Sequence, residues 1–276
     1  MRERIRSAGQ CAYWDGLSDE YARITRIRTD DFHYGPQIPG ENALRLLPEL
    51  GAGAAALELG CGGGQNSVWL ARRGVRCIAL DVSEGQLSHA RALAAREGAA
   101  IDFRRGALED FGAVVPETGF DLVHSSHAME FVESPGPIVA EMARRARPGG
   151  TVMVSTVHPV FNGAWIRGEF EDEDGADAGA AGDGLFLPDY FSPPDDVRDD
   201  ANGHVVSRAW PVSEWFGWFR AAGLEVVSLL EPAAVRDAPY TSDDWAAHGG
   251  QLDRIPSTLI LVGRRPAAAD DKAPRS

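Results

Sequence analysis

Residues Ala55-Ala56-Leu57-Glu58-Leu59-Gly60-Cys61-Gly62-Gly63-Gly64-Gln65-Asn66-Ser67 decide how this chain reads. A short apolar run leads into glycines and then into an amphipathic segment from Ser67 to Arg73. That order predicts a buried strand, a tight turn and the first turn of a helix. Glycine belongs in such a turn because a side chain would block close approach of a ligand to the backbone. The helix start beyond it offers unpaired N–H groups and a positive dipole end to a polar or anionic group. The spacing is G-x-G-x-G at Gly60, Gly62 and Gly64. A G-x-G-x-x-G dinucleotide turn would need glycine where Gln65 stands.

Outward from the turn, apolar runs alternate with helical patterns. Strand 55–60 is followed by helix 65–74, and strand 75–81 by helix 83–97 with Ser83 as N-cap. Strands 101–105 and 120–125 come next. Helix 135–146 opens on Ser134-Pro135 and closes on Arg147-Pro148-Gly149-Gly150, and strand 151–157 follows. Glu41 to Leu50 carries a helical stripe, Pro211 to Ala222 reads as a late helix, and 224–230 and 258–263 as strands. Such alternation specifies a doubly wound, parallel α/β sheet with right-handed crossovers. The acidic, Gly/Ala-rich stretch Glu169–Gly184 has few apolar anchors and is expected to be a mobile loop.

The net charge of −14 repels a phosphate backbone, and no basic patch offsets it. Cys11, Cys61 and Cys77 fit no disulfide or metal spacing and read as reduced thiols of a cytoplasmic protein. No apolar run approaches membrane-spanning length. The expected partners are a small-molecule acceptor and, at most, a second copy in a homodimer. Nucleic acid, membrane and metal are not expected.

Further motifs sharpen the reading. Glu58-x-Gly60-x-Gly62-x-Gly64 resembles the first motif of the class I S-adenosylmethionine (SAM)-dependent methyltransferases. Asp81-Val82-Ser83-Glu84-Gly85-Gln86-Leu87 resembles their second motif, and Phe120-Asp121-Leu122-Val123 the fourth strand. Arg147-Pro148-Gly149-Gly150 resembles the turn before the fifth strand. Pro211-Val212-Ser213-Glu214-Trp215 and Ala221-Ala222-Gly223-Leu224 look like the late helix and sixth strand of small-molecule members.

The resemblance implies a mostly parallel seven-stranded sheet with an antiparallel last strand. It also implies an N-terminal helical cap over 1–40 and a SAM-binding core over 41–158. An acceptor-covering insertion would occupy 159–208 and the remaining core elements 209–265, ahead of a disordered tail at 266–276. It further implies a cofactor site drawn from Glu58, Gly60, Gly62, Gln65, Asn66, Asp81, Val82, Gln86, Gly106, Ala107, Leu108, Glu109 and Ser125. Asp81, at a strand end, would take the ribose hydroxyls. One departure is Ala107, where the family often has the aspartate that binds adenine.

Ligands of open α/β sheets bind beyond the carboxyl ends of the strands. His127 and His158 stand just past two such ends and are the candidate base or acceptor-orienting groups. Tyr21, His33, Tyr34, Glu130, Phe161 and Tyr190 are candidate acceptor contacts. The expected reaction is SAM-dependent methylation of an oxygen, nitrogen or carbon of a small molecule. The alternatives are a nicotinamide-dependent oxidoreductase or a SAM-binding regulator without catalysis.

Overall fold

The computed structural model describes residues 2–163, 165–166, 185–187 and 189–267 of the chain. The acidic loop expected at 171–184, and all but the first two residues of the tail expected from 266, lie outside them.

A long helix, α1 (Arg2–Ile24), runs directly into β1 (Thr25–Ile27), and α2 (Glu41–Leu44) is a single turn. The core then alternates: β2 (Ala55–Leu59), α3 (Gln65–Ala71), β3 (Arg76–Asp81), α4 (Glu84–Glu97) and β4 (Ile101–Arg105). After the short α5 (Phe111–Val114) come β5 (Phe120–Ser126), α6 (Pro135–Arg145) and β6 (Ala146–Val157). Past α7 (Pro159–Gly163), β7 (Trp165–Ile166) pairs with β8 (Leu185–Phe186), and β9 (Asp196–Asp200) with β10 (Gly203–Ser207). The chain closes with α8 (Val212–Ala221), β11 (Glu225–Leu230), β12 (Tyr240–Ser242), α9 (Asp243–Ala246), α10 (Gly249–Leu252) and β13 (Thr258–Arg264).

Seven strands form one sheet in the order β11-β13-β6-β5-β2-β3-β4. The pairs β2–β3, β3–β4, β2–β5 and β5–β6 are parallel, while β13 runs against both β6 and β11. The sheet expected from the sequence is therefore the one observed. One face packs Leu57, Leu59 and Val123 against Ile138 and Met142 of α6 and Trp215 and Phe219 of α8. The opposite face packs Ala56, Leu122 and Met153 against Trp69 and Leu70 of α3 and the buried Phe32 and Tyr34. Burying both faces explains why these strands read as near-continuous apolar runs.

Two local expectations are corrected. The stripe from Glu41 to Leu50 yields one helical turn, because Arg45 turns left-handed and the Glu41 carboxylate accepts the amides of Leu46 and Leu47. Arg147–Gly150 does not separate helix from strand but lies within β6. There the register jumps from Phe120↔Ala146 to Leu122↔Thr151, and Gly149 takes a φ of +75°. The extra residues are absorbed as a bulge.

A two-stranded ribbon escaped the sequence reading. β1 pairs antiparallel with β12, Ile27 opposite Tyr240, so segments from early and late in the chain lie side by side.

Candidate functional site

The ends of β2 and β3 build the floor of a cleft. Gly60 and Cys61 donate their amides to the Leu80 carbonyl at 2.8 and 3.0 Å, tying the turn after β2 to the end of β3. Gly60, Gly62 and Gly64 take φ values of +72°, +50° and +78°, a region that side chains disfavour. A Cβ on Gly60 would lie 2.2 Å from the Cβ of Ala128, so that glycine permits a close approach of two loops. A Cβ on Gly62 would meet only Gln86 Oε1, at 3.9 Å, so the space above it is open cleft.

Asp81 closes the floor. Its carboxylate accepts the Gly62 amide at 2.8 Å and the Ser83 amide at 3.0 Å. Burial pushes this carboxyl up, and the donated amides of Ser83, Gly62 and Val82 oppose that push. Ser83 caps α4 by accepting from the Gln86 amide, and Asp15 of α1 accepts from both the Ser83 hydroxyl, at 2.7 Å, and the Gly85 amide. Through Asp15, α1 is docked on the start of α4 and its aromatic side chains stand over the cleft.

The cleft encloses about 880 Å³, its solvent-open mouth included. Its lining includes an apolar slot of Val82, Ala107 and Leu108 with Asp81, and an aromatic wall of Trp14, Tyr21, Phe131 and Tyr240 with His33 and His127. An apolar slot, a buried carboxylate with unspent lone pairs and an open glycine backbone fit a nucleoside bearing a polar tail.

Of the residues expected from the sequence, Gly60, Gly62, Gln65, Asp81, Val82, Gln86, Ala107, Leu108 and Glu109 line this cleft, with Tyr21, His33 and His127. The others lie behind it. Glu58 is buried and accepts the Ser67 hydroxyl. Asn66 clamps the His33 backbone, accepting its N–H at 2.9 Å and donating to its C=O at 3.0 Å. The Gly106 amide is spent on the Asp81 carbonyl and the Ser125 hydroxyl on that of Leu59. Tyr34 donates to Glu41 within the core, Phe161 stacks on Trp245, and the Tyr190 hydroxyl accepts the Val212 amide.

The two histidines fare differently. His158 accepts the Val160 amide at Nδ1, and its Nε2 lies 2.8 Å from Glu231, so both nitrogens are spent outside the cleft lining. Burial holds its pKa below the ordinary value against the pull of Glu231. His127 has a left-handed backbone, φ +52°, which turns its ring to the cleft wall. Its Nδ1 lies 3.1 Å from the buried Glu130 carboxylate and its Nε2 3.0 Å from the Thr258 hydroxyl. His33 is held down to about 3 by burial first and then by His127 and His124, and therefore stays neutral.

Gln10, Trp14, Phe131 and Tyr240 also line the cleft and were missed. Trp14 had a signal, since it sits in the aromatic–acid cluster of the N-terminal segment. Tyr240 had none, because its place depends on pairing with β1 across the whole chain. Among the described residues, no cluster of three or more His, Cys, Asp or Glu could hold a metal ion. No described helix is long and apolar enough to cross a membrane.

Residues 57–154 match a family model described as a methyltransferase domain. The chain is similar to the ubiquinone biosynthesis O-methyltransferases of Hahella chejuensis and Xylella fastidiosa, each 36% identical over 148 residues. The first match covers 53% of this chain and 56% of the relative, the second 51% and 58%. The chain thus spans little more than half the length of these relatives. A solved SAM-dependent methyltransferase from Mesorhizobium loti superposes with a TM-score of 0.59 at 25% identity, over 81% of this chain and 96% of that one. The 4+2 cyclase SpnF superposes with a TM-score of 0.60 over 95% and 96% at 18% identity, a likeness of fold alone.

Proposed function

This chain carries the methyltransferase domain of the class I SAM-dependent enzymes, and from that premise we propose that it methylates an oxygen of a small molecule. The observation that carries the proposal is the floor of the cleft, where Asp81 and the open backbone at Gly62 are locked to each other. SAM would lie there with its ribose hydroxyls on Asp81, its adenine between Val82, Ala107 and Leu108, and its methionine end over Gly60–Gln65. Bound in that way, it supplies a methyl group on an electrophilic sulfonium.

The chain's own residues then hold the acceptor in line and keep water out. We assign acceptor orientation to His127 and a structural role to His158. Glu130 at Nδ1 and the Thr258 hydroxyl at Nε2 hold both ring nitrogens, so His127 would orient the acceptor as a fixed ring packed in the cleft wall, whereas His158 lies outside the lining. Oxygen is the acceptor atom we favour because the two relatives are named O-methyltransferases. A small acceptor, rather than nucleic acid, agrees with the net charge of −14 and with a cleft lined, among the described residues, by no arginine or lysine.

The test is methyl transfer from radiolabelled SAM to catechol, read as labelled product in an organic extract. Turnover above the level of the Asp81→Ala variant supports the proposal. Binding of S-adenosylhomocysteine with no transfer to catechol or to other small hydroxyl compounds would refute it.

A further inference from the structure

The lining of the cleft contains a pair of phenols that belongs to none of the sequence motifs. Tyr21, near the end of α1, and Tyr240, the first residue of β12, bring their hydroxyls to 2.5 Å across the β1–β12 ribbon. Both line the cleft. Tyr21 packs edge-on against Trp14, and Tyr240 edge-on against the neutral His33 at 5.1 Å. The Tyr240 backbone is fixed as well, its carbonyl accepting the Gln37 amide at 2.8 Å.

Two hydroxyls joined by one hydrogen bond leave one O–H hydrogen unspent. Burial, together with the nearby Glu130 carboxylate, pushes both phenols above their ordinary pKa, so the pair stays protonated and acts as a donor. Two neighbouring donors are already used: Gln10 gives its side-chain N–H to the Phe131 carbonyl, and Arg105 is turned to the Val82 carbonyl and Cys11. Arg198, whose charge also reaches Tyr21, is paired with Asp196. Among the described residues, the lining carries two carboxylates, Asp81 and Glu109, and no arginine or lysine. An anionic acceptor entering here would lose its hydration and meet no cationic arginine or lysine among the described lining residues.

We propose that Tyr21 and Tyr240 are the acceptor-positioning pair, donating one hydroxyl hydrogen to an uncharged oxygen of the acceptor in a cleft that rejects anionic acceptors. This rests on the methyl-transfer reading and adds the acceptor's charge class to it. The pair works as a unit, because removing either hydroxyl breaks the 2.5 Å bond that aims the other.

The test is calorimetric binding to protein saturated with S-adenosylhomocysteine, with catechol as the uncharged probe and 3,4-dihydroxybenzoate as its anionic counterpart. Catechol is expected to bind wild type at least about tenfold more tightly than the benzoate. Tyr21→Phe and Tyr240→Phe should each weaken catechol binding by about three- to tenfold, the loss of one neutral hydrogen bond. The double variant should be no worse than either single one, and S-adenosylhomocysteine affinity should not move. Equal binding of the two probes, no binding of catechol, or variants that bind catechol like wild type would each overturn the proposal. Should a variant fail to fold, the comparison of the two probes on wild type still decides. Failure of S-adenosylhomocysteine itself to bind would strike the methyl-transfer reading first, and this proposal with it.

Discussion

The carboxylate of Asp81 accepts the amide of Gly62 at 2.8 Å, so the residue that ends one strand holds the turn that ends its neighbour. One side chain thus serves both the shape of the cleft and its ligand. Asp81→Ala would leave the Gly62 and Ser83 amides without their acceptor and the ribose hydroxyls unpaired. S-adenosylhomocysteine affinity should fall by about 1–3 kcal/mol in calorimetry. Unchanged affinity would remove Asp81 from the cofactor site.

Glu58 illustrates a motif residue that serves the scaffold. Burial pushes its carboxyl up to about 8, although Ser67 donates to it. The unfolded chain gives up this proton near pH 4.5, whereas the folded chain keeps it until about pH 8. Its contribution is complete below pH 4.5 and is lost as pH rises through 8. Glu58→Gln keeps an acceptor for Ser67 and cannot ionise. It should therefore gain stability relative to wild type between those limits, on the order of a few kcal/mol at pH 8 and nothing at pH 4. Urea melts at the two pH values would show this, and an equal effect at both would contradict it.

His124 lies opposite Glu58 in the β2–β5 register, fully buried, with neither ring nitrogen hydrogen-bonded among the described residues. Phe32 lies against it, with ring centres 5.1 Å apart. Burial holds it down to about 3, so stability it shares with the neutral His33 is present above pH 6.5 and lost as pH falls toward 3. His124→Leu should raise stability at pH 7 by about 1–3 kcal/mol and shallow the acid limb of the stability curve. A variant less stable than wild type would mean that His124 has a partner of consequence.

The two histidines past the strand ends should separate cleanly. His158→Ala removes the acceptor of the Val160 amide and the partner of Glu231, so thermal stability should drop while S-adenosylhomocysteine affinity holds. His127→Ala should slow methyl transfer by about a hundredfold through misplacement of the acceptor. The reverse pattern in single-turnover transfer would exchange their roles.

Much of this was legible because it is local. The glycine spacing marked the turn, Ser83 marked the start of α4, and the apolar runs marked the buried strands. What was not legible depends on distant partners. Glu41 stops its own helix by accepting the amides of Leu46 and Leu47, and Gly149 lets β6 swallow a presumed turn. Tyr240 reaches the cleft only because β12 pairs with β1, and no periodicity near either segment encodes that pairing. His158 looked like a site residue from its place after a strand, but it lies outside the cleft lining, held by Glu231 and the Val160 amide.

Calorimetric titration of the full chain with S-adenosylhomocysteine and, separately, with NADH tests the central claim most directly. One equivalent of S-adenosylhomocysteine should bind with micromolar or tighter affinity, lost by a factor of about ten or more in Asp81→Ala, while NADH gives no binding heat. Binding of NADH in preference, or no binding of S-adenosylhomocysteine to folded protein, would contradict it.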